Sequence, residues 1–141
     1  MLKRKTPTKI LVAVDASEYS RKAFEYACML AQNTSNHLQI LNVIEEYVSV
    51  GYSIFKQLEK TSKEILRKYE DKAESLGVKS VSTIQSRGNP SEEILKIANR
   101  ENIDTLVVGT RGLNSSSKEF VLGSTSYKLA HYCKCTVIIV K

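Results

Sequence analysis

"KILVAVDASEYSRKAFEYA", Lys9 to Ala27, carries the reading on which the fold depends. From Lys9 to Asp15 it is a continuous apolar run of strand length that stops at an acid, as a strand buried on both faces does. Ser17 then stands where a helix cap belongs, with Glu18 in the first turn, where the helix dipole favours an acid. Phe24, Ala27, Cys28 and Ala31 follow at helical spacing. A doubly buried strand running straight into an amphipathic helix is the building block of a parallel α/β sheet.

The same block recurs along the chain. "LQILNVI" (Leu38 to Ile44) is a second strand. Ile54, Phe55, Leu58, Ile65, Leu66, Tyr69, Ala73 and Leu76 then trace the apolar stripe of a long helix, closed by Gly77. "KSVSTIQS" (Lys79 to Ser86) alternates more and is less apolar, which fits an edge strand. In "GNPSEEILKIANREN", Asn89 is placed to cap a helix, Pro90 suits its first position and Glu92 falls where a capping box wants it. "DTLVVG" (Asp104 to Gly109) is a fourth strand, a short helix starts at Ser124, and "TVIIVK" (Thr136 to Lys141) is a fifth strand. This alternation predicts one α/β domain over residues 9–141, with a mainly parallel sheet covered by helices on both faces.

Size and composition agree. The chain has 141 residues, 26% of them charged, enough for one domain with a real core and too apolar for a disordered chain. No apolar run approaches the roughly 18–20 residues that span a bilayer. The opening "MLKRKTPTK" lacks a signal peptide's apolar region, so a cytoplasmic location is expected. The net charge of +6 raises the question of nucleic acid, but Lys3, Arg4, Lys5 and Lys9 belong to the leading tail, and the remainder is nearly balanced at 17 basic against 15 acidic residues. Residues 1–8 therefore read as a disordered basic tail, and nucleic acid as an unfavoured partner. Cys28, Cys133 and Cys135 are too few for a disulfide framework, and "HYCKC" (His131 to Cys135) offers too few ligands for structural zinc.

In a parallel sheet, ligands bind beyond the carboxyl ends of strands where the strand order reverses. Asp15 and Gly109 stand at such ends. From Gly109 the chain continues "GTRGLNSSSKEFVLGSTS". Gly109 and Gly112 permit tight turns and close approach, while Gly123 opens the next helix, whose free N–H groups favour an anion. Ser124, Thr125 and Ser126 add hydroxyls, and Arg111 adds charge. The pattern is neither a P-loop nor the dinucleotide GxGxxG. Taken alone, it leaves both a phosphate cradle and an ordinary surface loop open.

The segments "KILVAVDASEYSRKAFEYA", "GNPSEEILKIANRENIDTLVVGTRG" and "GSTSYKLAHYCKCTVIIVK", in that order, resemble the universal stress protein family. The resemblance covers nearly the whole chain apart from the basic tail and the region from Glu45 to Lys60. It implies a five-stranded parallel sheet in the order 3-2-1-4-5, a Rossmann-like arrangement that sets Asp15 beside Gly109. An ATP-binding branch of that family carries two glycines two residues apart, nine further residues, then glycine with serine or threonine. Gly109, Gly112, Gly123 and Ser124 match it. By the same resemblance Asp15 would meet the ribose or adenine, and Ala13 with the backbone around Val43 would flank the base. Gly112, Gly123, Ser124 and Ser126 would face the phosphates of ATP or AMP, with Mg2+ as a companion ion. One departure stands out. "LNSSSKEFVL" has ten residues where the pattern has nine, which puts the extra one in Ser115–Ser117.

The residues support binding better than catalysis. Hydrolysis would call for a positioned cation, a metal-holding carboxylate and a group orienting water, and Asp15 is the one well-placed acid. His37 and His131 are expected as surface or helix-end residues. Slow or absent turnover is the expectation, in a regulatory stress-response protein. The resemblance also implies a homodimer through the last strand, with Val137, Ile138, Ile139 and Val140 in the contact, because an apolar edge asks for a partner. The alternative is a nucleotide-free dimeric scaffold of the same fold.

Overall fold

A computed structural model describes residues 8–45, 51–110 and 122–141. Its elements alternate as β1 (Lys9–Ala13), α1 (Glu18–Ala31), β2 (His37–Glu45), α2 (Tyr52–Ser75), β3 (Ser80–Gly88), α3 (Pro90–Arg100), β4 (Thr105–Gly109), α4 (Ser124–Tyr132) and β5 (Thr136–Val140). The strands form one sheet in the order β3-β2-β1-β4-β5, parallel throughout. Both the architecture and the strand order are those expected from the sequence.

Side-chain alternation along the central strands divides the core into two layers. Ile10 and Val12 of β1 join Leu38 and Ile40 of β2 against Phe24 and Ala27 of α1 and Leu66 and Ala73 of α2. Leu11 and Leu41 point the other way, with Leu106 and Val108 of β4, onto Ile94 and Ile97 of α3 and Leu129 of α4. Each fully buried Leu or Ile contributes about 1.5–3 kcal/mol, so the uninterrupted apolar runs of β1 and β4 are explained by burial on both faces. β3, at the edge, has no buried residue, in keeping with its alternating sequence.

The helix signals hold in detail. The Ser17 side chain accepts from Ser20 N–H at α1, and the Asn89 side chain accepts from Glu92 N–H at α3 with Pro90 in the first turn. Gly77 follows α2 at φ +88°, a conformation that costs a side-chain-bearing residue.

Three expectations are corrected. β1 ends at Ala13, two residues short of Asp15, whose Oδ1 instead accepts from Ser17 N–H in the turn that leads to α1. Lys9 does not belong to a free tail. Its backbone N–H donates to Asp104 Oδ2 at 2.8 Å and its Nζ to the Glu101 carbonyl at 3.2 Å. Thr8 is tied as well, donating to Asn36 Oδ1 and accepting from His37 N–H. Residues 1–7 of the expected tail lie outside the described residues. Finally, His37 is not a bare surface residue. It opens β2 half-buried, with Nδ1 at 2.6 Å from Ser80 Oγ and Nε2 at 2.8 Å from Ser82 Oγ, both on β3. Burial, followed by the charge of Lys9, pushes its pKa down.

Candidate functional site

The sheet reverses direction of winding between β1 and β4, so the crevice beyond their carboxyl ends is where a ligand of this architecture is expected. Two strand-to-helix transitions meet there. The first leaves β1 through Asp15 to α1, and the second leaves β4 through Gly109 to α4.

The first transition is closed by its own side chains. Asp15 Oδ1 accepts from Ser17 N–H at 2.7 Å, a local turn that starts α1. Ser20 Oγ accepts from Asp15 N–H and donates to the Asp15 carbonyl, both at 2.9 Å. Upstream, Asn42 Nδ2 donates to the Val14 carbonyl at 2.7 Å, and Ser62 Oγ of α2 donates to Asn42 Oδ1 at 2.6 Å. Both partners of this last pair are buried. A buried amide that satisfies two neighbours in this way fixes the exit of β1. Asp15 itself is half-exposed, and its Oδ2 has no partner among the described residues. Asn42 and Ser62 were not singled out as site residues from sequence. The signal was present, since Asn42 and Gln39 are the two polar residues inside the apolar run "LQILNVI", and Asn42 is the one of the two that is buried.

The second transition is open. Gly123 is the N-cap of α4 at φ −62° and ψ 161°, and no side chain among the described residues caps that helix. Among the described residues, the N–H groups of its first turn, Ser124 to Ser126, therefore lack a side-chain acceptor such as the Ser17 hydroxyl at α1 or the Asn89 amide oxygen at α3. Ser124 is exposed and Thr125 half-exposed, so both can reach a ligand.

Other donors are already engaged. Gly123 N–H donates to the Thr110 carbonyl at 2.8 Å, and Thr110 N–H to the Val140 carbonyl at 3.1 Å. Ser126 is buried and its hydroxyl donates to the Gly109 carbonyl at 2.6 Å, tying α4 to the end of β4 instead of facing outward. Gly109 also has a reason of its own. A Cβ there would stand 2.7 Å from the Tyr19 carbonyl oxygen in the first turn of α1, too close for any side chain. Its φ is not positive, and neither is that of Gly123, so close approach and not left-handed backbone is what these glycines provide. Ala13 and Val43 are half-buried on the α3/α4 side of the sheet, beside this crevice. Arg111 and Gly112 lie outside the described residues, as does the Ser115–Ser117 segment.

The Universal stress protein family model matches residues 7–141. This chain belongs to the universal stress protein family. Universal stress protein YxiE of Bacillus subtilis is 35% identical to it over 147 residues, covering 94% of this chain and 98% of that one. Among solved structures, universal stress protein UspA from Lactobacillus plantarum is similar with a TM-score of 0.83 at 26% identity, covering 98% of this chain and all of that one. A universal stress protein solved in complex with cAMP has a TM-score of 0.76 at 25% identity, covering 95% of this chain and 97% of the other. The strand order is thus the one carried by universal stress proteins of known structure.

No group of three or more metal-ligating side chains occurs among the described residues. No helix among them is long and apolar enough to cross a membrane.

Proposed function

We propose that this universal stress protein binds an adenine nucleotide, ATP or AMP, in the crevice between β1 and β4, and acts as a regulatory homodimer in the stress response. The observation that carries the reading is the start of α4, which no side chain among the described residues caps. Its first-turn amides and the positive end of its dipole suit an anion, and they open at the switch point, where Asp15 Oδ2, without a partner among the described residues, is available to a ribose hydroxyl. The cAMP bound by a relative of the same fold supports the same ligand class.

In this reading Ser124 and Thr125 hold phosphate oxygens through backbone N–H and hydroxyl groups, together with Gly112 and Arg111. Ala13 and Val43 flank the base. Gly109, Gly123 and Ser126 hold the frame, through the bonds already described. Mg2+, if it accompanies the nucleotide, is held chiefly by phosphate oxygens and water, as this ion prefers. Regulation requires that the nucleotide bind two states of the protein unequally. Turnover is slow or absent, and the protein works in the cytoplasm.

The homodimer forms through β5. Val137, Ile138, Ile139 and Val140 are only half-buried, and β5 pairs with β4 and no other strand among the described residues. An open apolar edge favours a second copy.

Titration with fluorescently labelled ATP and AMP tests the first part, and saturation below millimolar ligand is expected. Failure to saturate favours the second reading, a nucleotide-free dimeric scaffold. That reading draws on the internal engagement of Gly123 N–H and the Ser126 hydroxyl. Light scattering tests the dimer, and a monomer at micromolar concentration would refute it.

A further inference from the structure

The end of α4 carries a feature that nucleotide binding does not use. Cys133 is the C-cap of α4, in extended backbone at φ −71° and ψ 133°, and Cys135 immediately precedes β5. Their Sγ atoms are 3.1 Å apart, about one ångström beyond the ~2.05 Å of a disulfide bond. Both side chains pack at the margin of the α3/α4 core and both remain half-exposed, within reach of a small oxidant. Cys28 contrasts with them. It is buried beneath α1, and burial, then the charge of Glu25, pushes its thiol up to about 12.

We propose that Cys133 and Cys135 form an oxidation-sensitive dithiol that closes to an intrachain disulfide in the presence of hydrogen peroxide. Their mutual distance carries the proposal, since thiols held far apart cannot join without backbone movement and these two already touch. The Cys133 thiolate attacks one peroxide oxygen, the O–O bond breaks, one water leaves, and Cys133 becomes a sulfenic acid. The Cys135 sulfur then attacks the Cys133 sulfur. The S–O bond breaks, and the hydroxyl departs as a second water with the Cys135 proton. Two thiols and one peroxide give one disulfide and two waters, and two electrons pass from sulfur to oxygen.

Burial, then contact with Cys133, pushes the Cys135 thiol up to about 12. The closed ring contains only Cys133, Lys134 and Cys135. So short a ring removes little freedom from the unfolded chain, so it is not a stabilising staple. A half-exposed bond of this kind belongs with the labile, readily reduced disulfides.

Lys134 makes the test direct, because trypsin cuts between the two cysteines. Full-length protein is treated with peroxide, denatured, alkylated and digested. Peptides Leu129–Lys134 and Cys135–Lys141 should appear joined, separable by dithiothreitol. Alkylation should fall from three thiols to one, at Cys28. A non-reducing gel should show a single chain. Cys133→Ser and Cys135→Ser should each abolish the linked peptides, while Cys28→Ser should leave them unchanged. Three alkylated thiols after treatment, sulfinic acid at Cys133 without linkage, or chains cross-linked to one another would each overturn the proposal. The wild-type peptide map decides even if a variant folds poorly.

Discussion

α1 and α4 both begin at the carboxyl end of a central strand, and both point their first turn at the same crevice, yet their starts are built differently. At α1, Ser17 caps the helix, Asp15 bonds Ser17 N–H, and Ser20 braces the Asp15 backbone. At α4, a glycine stands at the cap position and offers no acceptor. A capped start satisfies its own donors and contributes stability. An uncapped start leaves donors for something else, at a cost that only a bound anion or water offsets. The contrast lies within one molecule and one crevice, so it can be tested by exchanging the two designs.

The largest expected effect comes from filling the space between the two starts. Gly109→Val would press a side chain against the Tyr19 backbone, which cannot rotate away. A loss of about 1–3 kcal/mol or more is expected in denaturant unfolding. A midpoint equal to wild type would mean that the starts of α1 and α4 are not in close contact.

The sharpest exchange is Gly123→Asp, which gives α4 the kind of cap that α1 has. The carboxylate would accept the first-turn amides itself and repel phosphate. Nucleotide affinity should fall about tenfold or more, corresponding to about 1.4 kcal/mol, while stability rises by a few tenths of a kcal/mol. Higher stability with unchanged affinity would show that the nucleotide does not use this helix start.

The reverse exchange, Ser17→Ala, removes the cap of α1. It should cost about 1 kcal/mol of stability, with nucleotide affinity altered far less than in Gly123→Asp. A large loss of affinity would mean that the α1 start is also part of the ligand site.

The smallest effect belongs to the opposite end of the strands and provides a background for the other three. The pKa of His37 is lowered in the fold by burial and by Lys9. The unfolded chain therefore takes up its proton first as pH falls. The stability contribution is full above the ordinary histidine value of about 6.5 and declines below it until the folded-state pKa is passed. His37→Gln should flatten that decline in unfolding midpoints measured between pH 7 and 5, without changing nucleotide affinity. An unchanged slope would show that another group governs the acid response.

The legible parts of this molecule are those whose physics is local. β1 and β4 were readable because burial on both faces demands uninterrupted apolar runs. Ser17, Asn89 and Gly77 were readable because a cap bonds within three residues of itself. β3 was readable as an edge from its alternation. Tertiary contacts were not legible. Nothing near Gly109 in the sequence reveals that Tyr19 passes against it, so the glycine was open to reading as a phosphate turn. Ser126 looked like a ligand donor because its neighbours are hydroxyls, but the packing of α4 on β4 turns it inward. Lys9 looked like part of a charged tail because the Glu101 carbonyl that holds it is 92 residues away. His37 likewise meets Ser80 and Ser82 only through strand pairing.

The bond from Gly123 N–H to the Thr110 carbonyl acts as a clasp across the base of the segment between them. With both stems pinned, a change in the number of intervening residues is absorbed beyond the clasp and need not shift α4. Lengthening such a span from eleven to its twelve residues costs only about 0.1 kcal/mol in closure entropy. An added residue between the two clasped positions therefore carries little thermodynamic penalty of its own.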